Sequence, residues 1–328
     1  MRIAFFDTKE YDRISFQDVK DYEITFFENK LNRESVSMAN GYDVVCVFVN
    51  DQVDRELLGS LKAGGVRLIS TRSAGFNHID LPAAKEFGLP VVRVPAYSPY
   101  AVAEHTVALM MTLNRMTHKS YIRTLQGNFS LKGLLGFDMH GKTVGLIGGG
   151  KIAKIVTRIL RGFGMRVLIY TPDPDEEAAK EYGFINTDLN TLYAESDIVS
   201  LHCPLMKETK YLINKDSISL MKKGVMIINT GRGGLVHTQD LINGLKSEQV
   251  GYAGLDVYEE EGDVFFEDRS NDLLQDDLLA RLLTFHNVLI TSHQGFFTQE
   301  ALDNIRDTTI ENWQEYEAGE KLRNQVNL

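Results

Sequence analysis

Residues Thr143–Ala153 read TVGLIGGGKIA, an apolar run that breaks through three glycines into a helical pattern. Val144, Leu146 and Ile147 make a short buried strand, and Ile152, Ile155, Val156, Ile159 and Leu160 recur at helical spacing over Lys151–Phe163. A strand that turns into a helix through glycine leaves the first helical N–H groups without partners. Together with the macrodipole, they form a seat for a pyrophosphate. In the spacing G-x-G-x-x-A, Gly148 permits the tight turn and Gly150 the close approach of phosphates, and Ala153 lets helix pack on strand. A second strand, Arg166–Tyr170, follows at the βαβ interval. The acid that usually holds the adenosine ribose, about 20 residues on, is replaced by Thr171. The stretch predicts a dinucleotide site with an unusual ribose contact.

Around this stretch the chain has room for two domains of ordinary size, at 328 residues. A net charge of −10 argues against a nucleic-acid partner, because phosphate backbones need a basic surface. Asp7 and Lys9 fall too early for a signal-peptide apolar region, and runs such as Val44–Val49 are too short to span a bilayer. Cys46 and Cys203 both lie in strand-like contexts and read as buried free thiols of a reducing compartment. No metal-ligand spacing is recognisable. The expectation is a cytoplasmic α/β protein with no membrane or nucleic-acid partner.

Before residue 100, Arg2–Asp7, Tyr22–Glu28, Asp43–Val49, Arg67–Arg72 and Pro90–Pro95 are β-rich, with helical patterns such as Asp54–Ala63 between several of them. Such alternation implies a parallel sheet with right-handed crossovers. A long amphipathic helix is expected over Pro99–Ser120. A second series follows, with strands at Thr143–Gly148, Arg166–Tyr170, Ile198–His202, Val225–Thr230, Gly251–Asp256 and Val288–Ser292. Six strands of this kind fit a dinucleotide-binding sheet. One helix, Thr298–Ala318, is then left without a strand partner of its own.

In open parallel sheets, ligands bind beyond the carboxyl ends of the strands. Thr71–Gly75, Asn229–Gly234, Asp256–Glu261 and His293 all lie there. Arg232 sits among glycines, and its planar fork can grip a carboxylate with two charge-assisted bonds. The alternative is a surface ion pair. His293 can give and take a proton near neutrality, and a carboxylate partner would fix its tautomer and favour its protonated form. Glu259, Glu260, Glu261 and Asp263 are the candidates, and spacing does not choose among them. His105, beside Glu104, reads as a helix-packing residue.

TRSAGFNHID (Thr71–Asp80), VPAYSP (Val94–Pro99), AEH (Ala103–His105) and the glycine turn carry a resemblance. It continues in SLHCPL (Ser200–Leu205), NTGRGG (Asn229–Gly234), GLDVYEEE (Gly254–Glu261) and SHQGFFT (Ser292–Thr298). Nearly end to end, the chain resembles the NAD-dependent D-2-hydroxyacid dehydrogenases, most closely the fermentative D-lactate dehydrogenases among them. The resemblance implies two doubly wound parallel-sheet domains. One is a Rossmann dinucleotide-binding domain over 100–298, and the other a smaller flavodoxin-like catalytic domain from 1–99 plus 299–328. It also implies an active site in the cleft between them, and a homodimer or homotetramer built partly on the helix after Pro99.

The family's reaction is hydride transfer between NADH and the C2 carbonyl of a small 2-oxoacid, here pyruvate giving D-lactate. By resemblance Arg232, Glu261 and His293 are catalytic. His293 delivers the proton, Glu261 keeps it protonated, and Arg232 binds the carboxylate. The main-chain N–H groups of Ala74 and Gly75 share that carboxylate, and Tyr97 and Phe296 line the pocket. For NAD, the resemblance implies Lys151 and Ile152 beside Gly148 and Gly150 at the pyrophosphate. Thr171, Cys203, Pro204 and Thr209 lie on the adenosine side, with Thr230, Gly231, Arg232 and Asp256 towards the nicotinamide. The alternatives are a dehydrogenase for another 2-hydroxyacid and a corepressor-like protein that binds NAD(H) without catalysis.

Overall fold

A computed structural model describes residues 1–326. In chain order, β1 (Arg2–Phe5), α1 (Glu10–Phe16), β2 (Glu23–Phe26), β3 (Val44–Val47), α2 (Arg55–Ala63), β4 (Leu68–Thr71), α3 (Leu81–Glu86) and β5 (Val91–Val92) precede two helices, α4 (Pro99–Arg115) and α5 (Thr117–Leu125). Then come β6 (Thr143–Ile147), α6 (Lys151–Gly162), β7 (Arg166–Tyr170), α7 (Glu176–Tyr182), β8 (Ile185–Asn186), α8 (Leu189–Glu195) and β9 (Ile198–Leu201). The chain closes with α9 (Lys215–Leu220), β10 (Val225–Asn229), α10 (Thr238–Lys246), β11 (Val250–Leu255), α11 (Asp277–Leu283), β12 (Val288–Ile290) and α12 (Gln299–Glu317). It divides into two compact units, Met1–Ser98 with the chain from Phe296 onward, and Pro99–Gly295.

The first unit holds five parallel strands in the order β2-β1-β3-β4-β5, the flavodoxin-like arrangement. Val44–Val47 is buried at every residue, as a strand covered on both faces must be. The helix that lacked a strand partner in the sequence packs here. Trp313 of α12 is fully buried, with its ring centroid 5.9 Å from Phe16 and 5.6 Å from Tyr22. Beyond β1 and β4, Arg72 is 1% exposed. Its guanidinium lies over the Phe5 and Phe48 rings, bonds Asp12 at 3.1 Å and donates to the Asp7 carbonyl at 2.7 Å. A buried charge has to be paired in this way, and here the pairing ties two strand ends together.

The second unit holds seven parallel strands, β12-β11-β10-β9-β6-β7-β8, one more than the sequence pattern predicts. The addition, β8, is two residues long, too short for any period to register. From β6 the order runs 3-2-1-4-5-6 with a seventh strand on the far edge, the Rossmann arrangement. The expected helix over Pro99–Ser120 is instead two helices. Met116 turns left-handed at φ 49° between α4 and α5, although the apolar period continues through it. Strands β10, β11 and β12 end at Asn229, Leu255 and Ile290, before the expected ends, although Asp256 N still donates to Asn229 O and Thr291 N to Leu255 O, each at 2.9 Å. Among the described residues no helix is long and apolar enough to cross a membrane, and no side-chain group could hold a metal ion.

Candidate active site

The glycine turn has the geometry its spacing predicts. Gly148 takes φ 110°, and a Cβ there would stand 2.6 Å from the His202 carbonyl oxygen, so only glycine fits. Gly150 is the N-cap of α6, brings no capping side chain, and would meet nothing within 4 Å if it carried a Cβ. Among the described residues the N–H groups of Gly150, Lys151 and Ile152 find no protein acceptor, and the first bond back is Lys154 N to Gly150 O at 3.1 Å. Uncovered donors at the start of a twelve-residue helix, with open space before them, fit a pyrophosphate.

Thr171 follows β7 directly and packs on the turn, since a Cβ on Gly149 would lie 3.3 Å from its methyl carbon. In sequence the run after it, Pro172-Asp173-Pro174-Asp175-Glu176-Glu177, reads as wholly acidic, with no lysine or arginine. Asp175 caps α7 through Ala178 N and receives Lys154 Nζ at 2.9 Å, so α6 brings a lysine to a loop that has none of its own. These bonds, the Ala178 N–H first, hold the Asp175 carboxyl below the usual range.

On the opposite side of the turn, His202 accepts or donates at Ser200 Oγ, 3.0 Å away, and burial lowers its pKa to about 4, so it is neutral. Cys203 is half-buried and free, and burial raises its thiol pKa. Cys46, in the first unit, is fully buried and free. The Thr209 hydroxyl donates to Pro204 O at 2.6 Å and accepts from Met206 N at 2.8 Å. Its hydroxyl therefore closes the Pro204–Thr209 loop.

At the carboxyl end of β10, Thr230 is hydrogen-bonded through its hydroxyl to Thr106 of α4 at 2.8 Å. Gly231 N donates to Asn229 Oδ1 at 3.0 Å, and Asn229 Nδ2 donates to Arg232 O at 2.8 Å, which folds the loop on itself. A Cβ on Gly233 would fall 1.9 Å from Tyr258 O, so this glycine lets the arginine loop lie against the backbone that leads to Glu261. The Arg232 guanidinium bonds only the adjacent Gly231 carbonyl, at 2.7 Å, and no carboxylate among the described residues pairs with it. The surface ion pair weighed from the sequence is not formed.

His293 Nδ1 lies 2.9 Å from Glu261 Oε1, and the other Glu261 oxygen accepts from Tyr258 N at 2.9 Å. The carboxylate accepts the Nδ1–H, which leaves Nε2 with no protein partner among the described residues. Of the remaining candidate acids, Glu259 is bound to the Tyr211 hydroxyl and to Thr238, and Glu260 is exposed. The Asp263 side chain lies outside what is described. His293 itself is held at φ 53°, a left-handed backbone rare outside glycine, by its N–H donating to Asp256 O at 2.7 Å.

Asp256, expected towards the nicotinamide, is tied into the His293 loop. It is 1% exposed, and both carboxylate oxygens are occupied. Oδ1 accepts from Thr291 Oγ1 at 2.6 Å and Gln294 N at 2.9 Å, with His105 Nε2 at 3.2 Å, and Oδ2 accepts from Gly295 N at 2.9 Å. Burial works to raise its pKa, but the His105, Thr291 and Gly295 contacts outweigh it and hold the carboxyl below the usual range. Its side chain thus braces the His293 loop from inside. His105 is part of that brace rather than simple helix packing, which only the fold brings to light.

In the first unit, Phe296 is buried, and Tyr97 approaches it edge-on at 6.2 Å. Tyr11 and Phe48, each 6.3 Å from Phe296, complete the aromatic cluster, and sequence reading singled out neither. Ala74 and Gly75 are half-buried, and neither N–H donates to a protein acceptor among the described residues.

The strand order and the helix-start seat, with a histidine–carboxylate pair and an uncommitted arginine at strand ends, are those of a nicotinamide-dependent oxidoreductase. Residues 107–295 match the NAD binding domain of the D-isomer specific 2-hydroxyacid dehydrogenases, and the chain belongs to that family. It is 51% identical to a D-lactate dehydrogenase of Escherichia coli (strain K12), over 99% of this chain and 100% of that one. The pyruvate reductase of Chlamydomonas reinhardtii superposes with a TM-score of 0.93 at 43% identity, covering 99% and 98% of the two chains. A D-lactate dehydrogenase with NAD+ from Lactobacillus jensenii gives 0.83 at 30% identity, with both chains covered in full.

Proposed function

We propose that this chain is an NAD-dependent D-lactate dehydrogenase, interconverting pyruvate and D-lactate. The observation that carries the reading is the Glu261–His293 pair at 2.9 Å, which fixes the imidazole and leaves Nε2 to face a reacting oxygen. NADH, when bound, supplies the hydride for the C2 carbonyl. His293 gives its Nε2 proton to the oxygen that becomes the hydroxyl, and Glu261 holds the ring in place from Nδ1. Arg232 grips the carboxylate and polarises the carbonyl, while the Ala74 and Gly75 N–H groups share the carboxylate. Tyr97 and Phe296 close round the methyl group, so that bulkier 2-oxoacids fit less well. Gly148, Gly150, Lys151 and Ile152 hold the pyrophosphate. Thr171, Cys203, Pro204 and Thr209 flank the adenosine, and Thr230, Gly231, Arg232 and Asp256 flank the nicotinamide. Two free thiols suit a cytoplasmic setting. The test is NADH oxidation with pyruvate, followed by chiral analysis of the lactate. L-lactate as product, or no oxidation with any 2-oxoacid, would remove the reading, and the latter would leave an NAD-binding corepressor-like protein.

Cofactor choice follows from Thr171. Aspartate there would accept bonds from the ribose hydroxyls and repel the 2′-phosphate of NADP, whereas a neutral threonine weakens both effects. With Asp175 already engaged by Lys154, wild type should prefer NADH by a smaller margin than an aspartate would give. Thr171→Asp should raise the NADH-over-NADPH ratio in kcat/KM by about fivefold or more, the scale of ~1 kcal/mol for charges 4 Å apart in water. Both cofactors at saturating pyruvate measure it. An unchanged ratio would place Thr171 away from the ribose.

The working form is proposed to be a homodimer or homotetramer. Phe129, Leu131 and Leu135, after α5, are 76%, 82% and 88% exposed, and Tyr121, Ile122 and Leu125 of α5 are exposed as well. Such a run of bare apolar side chains suits burial against a second copy. Leu131→Asp with Leu135→Asp should shift the mass measured by light scattering towards the monomer.

A further inference from the structure

Two N–H groups proposed to bind the substrate carboxylate belong to peptides whose carbonyls are held from one side. The Ser73 carbonyl, on the peptide that carries the Ala74 N–H, accepts from Val94 N at 3.2 Å. The Ala74 carbonyl, on the peptide that carries the Gly75 N–H, accepts from Arg93 Nη1 at 2.9 Å. In a trans peptide the N–H points opposite to the C=O. Both N–H groups are therefore turned away from Arg93–Val94, towards the side where neither finds a protein acceptor. The next carbonyl, that of Gly75, is fixed by Ser73 Oγ at 2.7 Å, and Ser73 Oγ is 2.7 Å from Thr71 Oγ1.

Arg93 is itself well anchored. Its N–H donates to Asn324 O at 3.2 Å, its carbonyl accepts from Asn312 Nδ2 at 3.0 Å, and its guanidinium lies 5.1 Å over the Phe76 ring. It is half-buried, yet no carboxylate among the described residues pairs with it. An uncompensated guanidinium on a peptide carbonyl draws charge through that peptide and makes its N–H a stronger donor.

We propose that Arg93 is a positioning residue for the substrate, which aims and polarises the Ala74 and Gly75 N–H groups at the 2-oxoacid carboxylate. This rests on the reading that those N–H groups bind the carboxylate. Arg93 touches neither substrate nor cofactor. It acts through the peptide it holds, so its loss should appear in substrate binding and leave the dinucleotide seat alone.

The test compares wild type, Arg93→Met and Arg93→Lys as full-length proteins. Steady-state kinetics give KM for pyruvate and for NADH and the inhibition constant of oxamate, and thermal melts report folding. Arg93→Met should raise KM for pyruvate about 10- to 100-fold, the scale of one charge-assisted hydrogen bond. The oxamate constant should rise in parallel, with KM for NADH within about twofold of wild type. Lysine keeps the charge but offers a single mobile donor, so Arg93→Lys should fall between the two. If the methionine variant does not fold, the lysine variant decides: a raised KM confined to pyruvate supports the proposal, and an unchanged KM overturns it. An unchanged KM for pyruvate in a folded Arg93→Met, or an equal rise for NADH, overturns it while leaving the dehydrogenase reading in place. A wild type that reduces no 2-oxoacid removes both.

Discussion

Replacing His293 by alanine is expected to lower kcat for pyruvate reduction about 10²–10⁴-fold, the usual contribution of a general acid–base group. The expectation rests on the pair geometry. Glu261 holds Nδ1 at 2.9 Å and is itself held by Tyr258 N, so the ring has one orientation and one open nitrogen. With the ring removed, a water must supply the proton without being positioned. KM for NADH should hardly move, because nothing in the glycine seat depends on the imidazole. Glu261→Gln should be milder. The amide keeps the size and a hydrogen bond but gives up the charged acceptor that fixes Nδ1. The kcat for pyruvate should fall, with KM for NADH near wild type. An unchanged kcat, with a hydride isotope effect showing chemistry to be rate-limiting, would remove Glu261 from that role.

Arg232→Lys carries the second large effect. Lysine retains the charge, but it cannot present two parallel donors to a carboxylate. Losing one charge-assisted bond costs about 1.5–3 kcal/mol, or about 10- to 150-fold in kcat/KM for pyruvate. Both KM and kcat should suffer, because the same group binds the carboxylate and polarises the carbonyl. NADH binding should stay near wild type. Among the described residues Arg232 has no carboxylate partner and bonds only its neighbour's carbonyl, so the substitution breaks no ion pair and stability should change little. Wild-type kinetics in this variant would mean that another residue holds the carboxylate.

The aromatic cluster and the brace behind His293 explain why some of the site escapes a linear reading. Phe48 follows β3 and Tyr11 lies in α1, and both reach Phe296 only after the first unit closes its sheet and α12 returns to it. His105 and Asp256 are separated by much of the second unit in sequence, yet stand 3.2 Å apart. No spacing rule joins residues from α4 with the ends of β11 and β12.

What the sequence determined by itself is what local chemistry controls. Glycines at 148 and 150, between an apolar strand and an amphipathic helix, can form little other than a turn with bare N–H groups. Repeated strand–helix alternation can satisfy its apolar faces only as parallel sheets with helices on both sides. Strand-end position then marks Arg232 and His293 without knowledge of any neighbour. The tertiary structure decided whatever depends on partners. It set Glu261 rather than Glu259 against His293, because Tyr211 and Thr238 claim Glu259. It drew Asp256 into the interior, ended the long helix at Met116, and added the two-residue β8. It also brought Lys154 from α6 to Asp175 in a loop that reads as wholly acidic. Periodicity reports which face of an element is buried, whereas the direction and partner of one polar side chain depend on hydrogen bonds and ion pairs made across elements far apart in the chain.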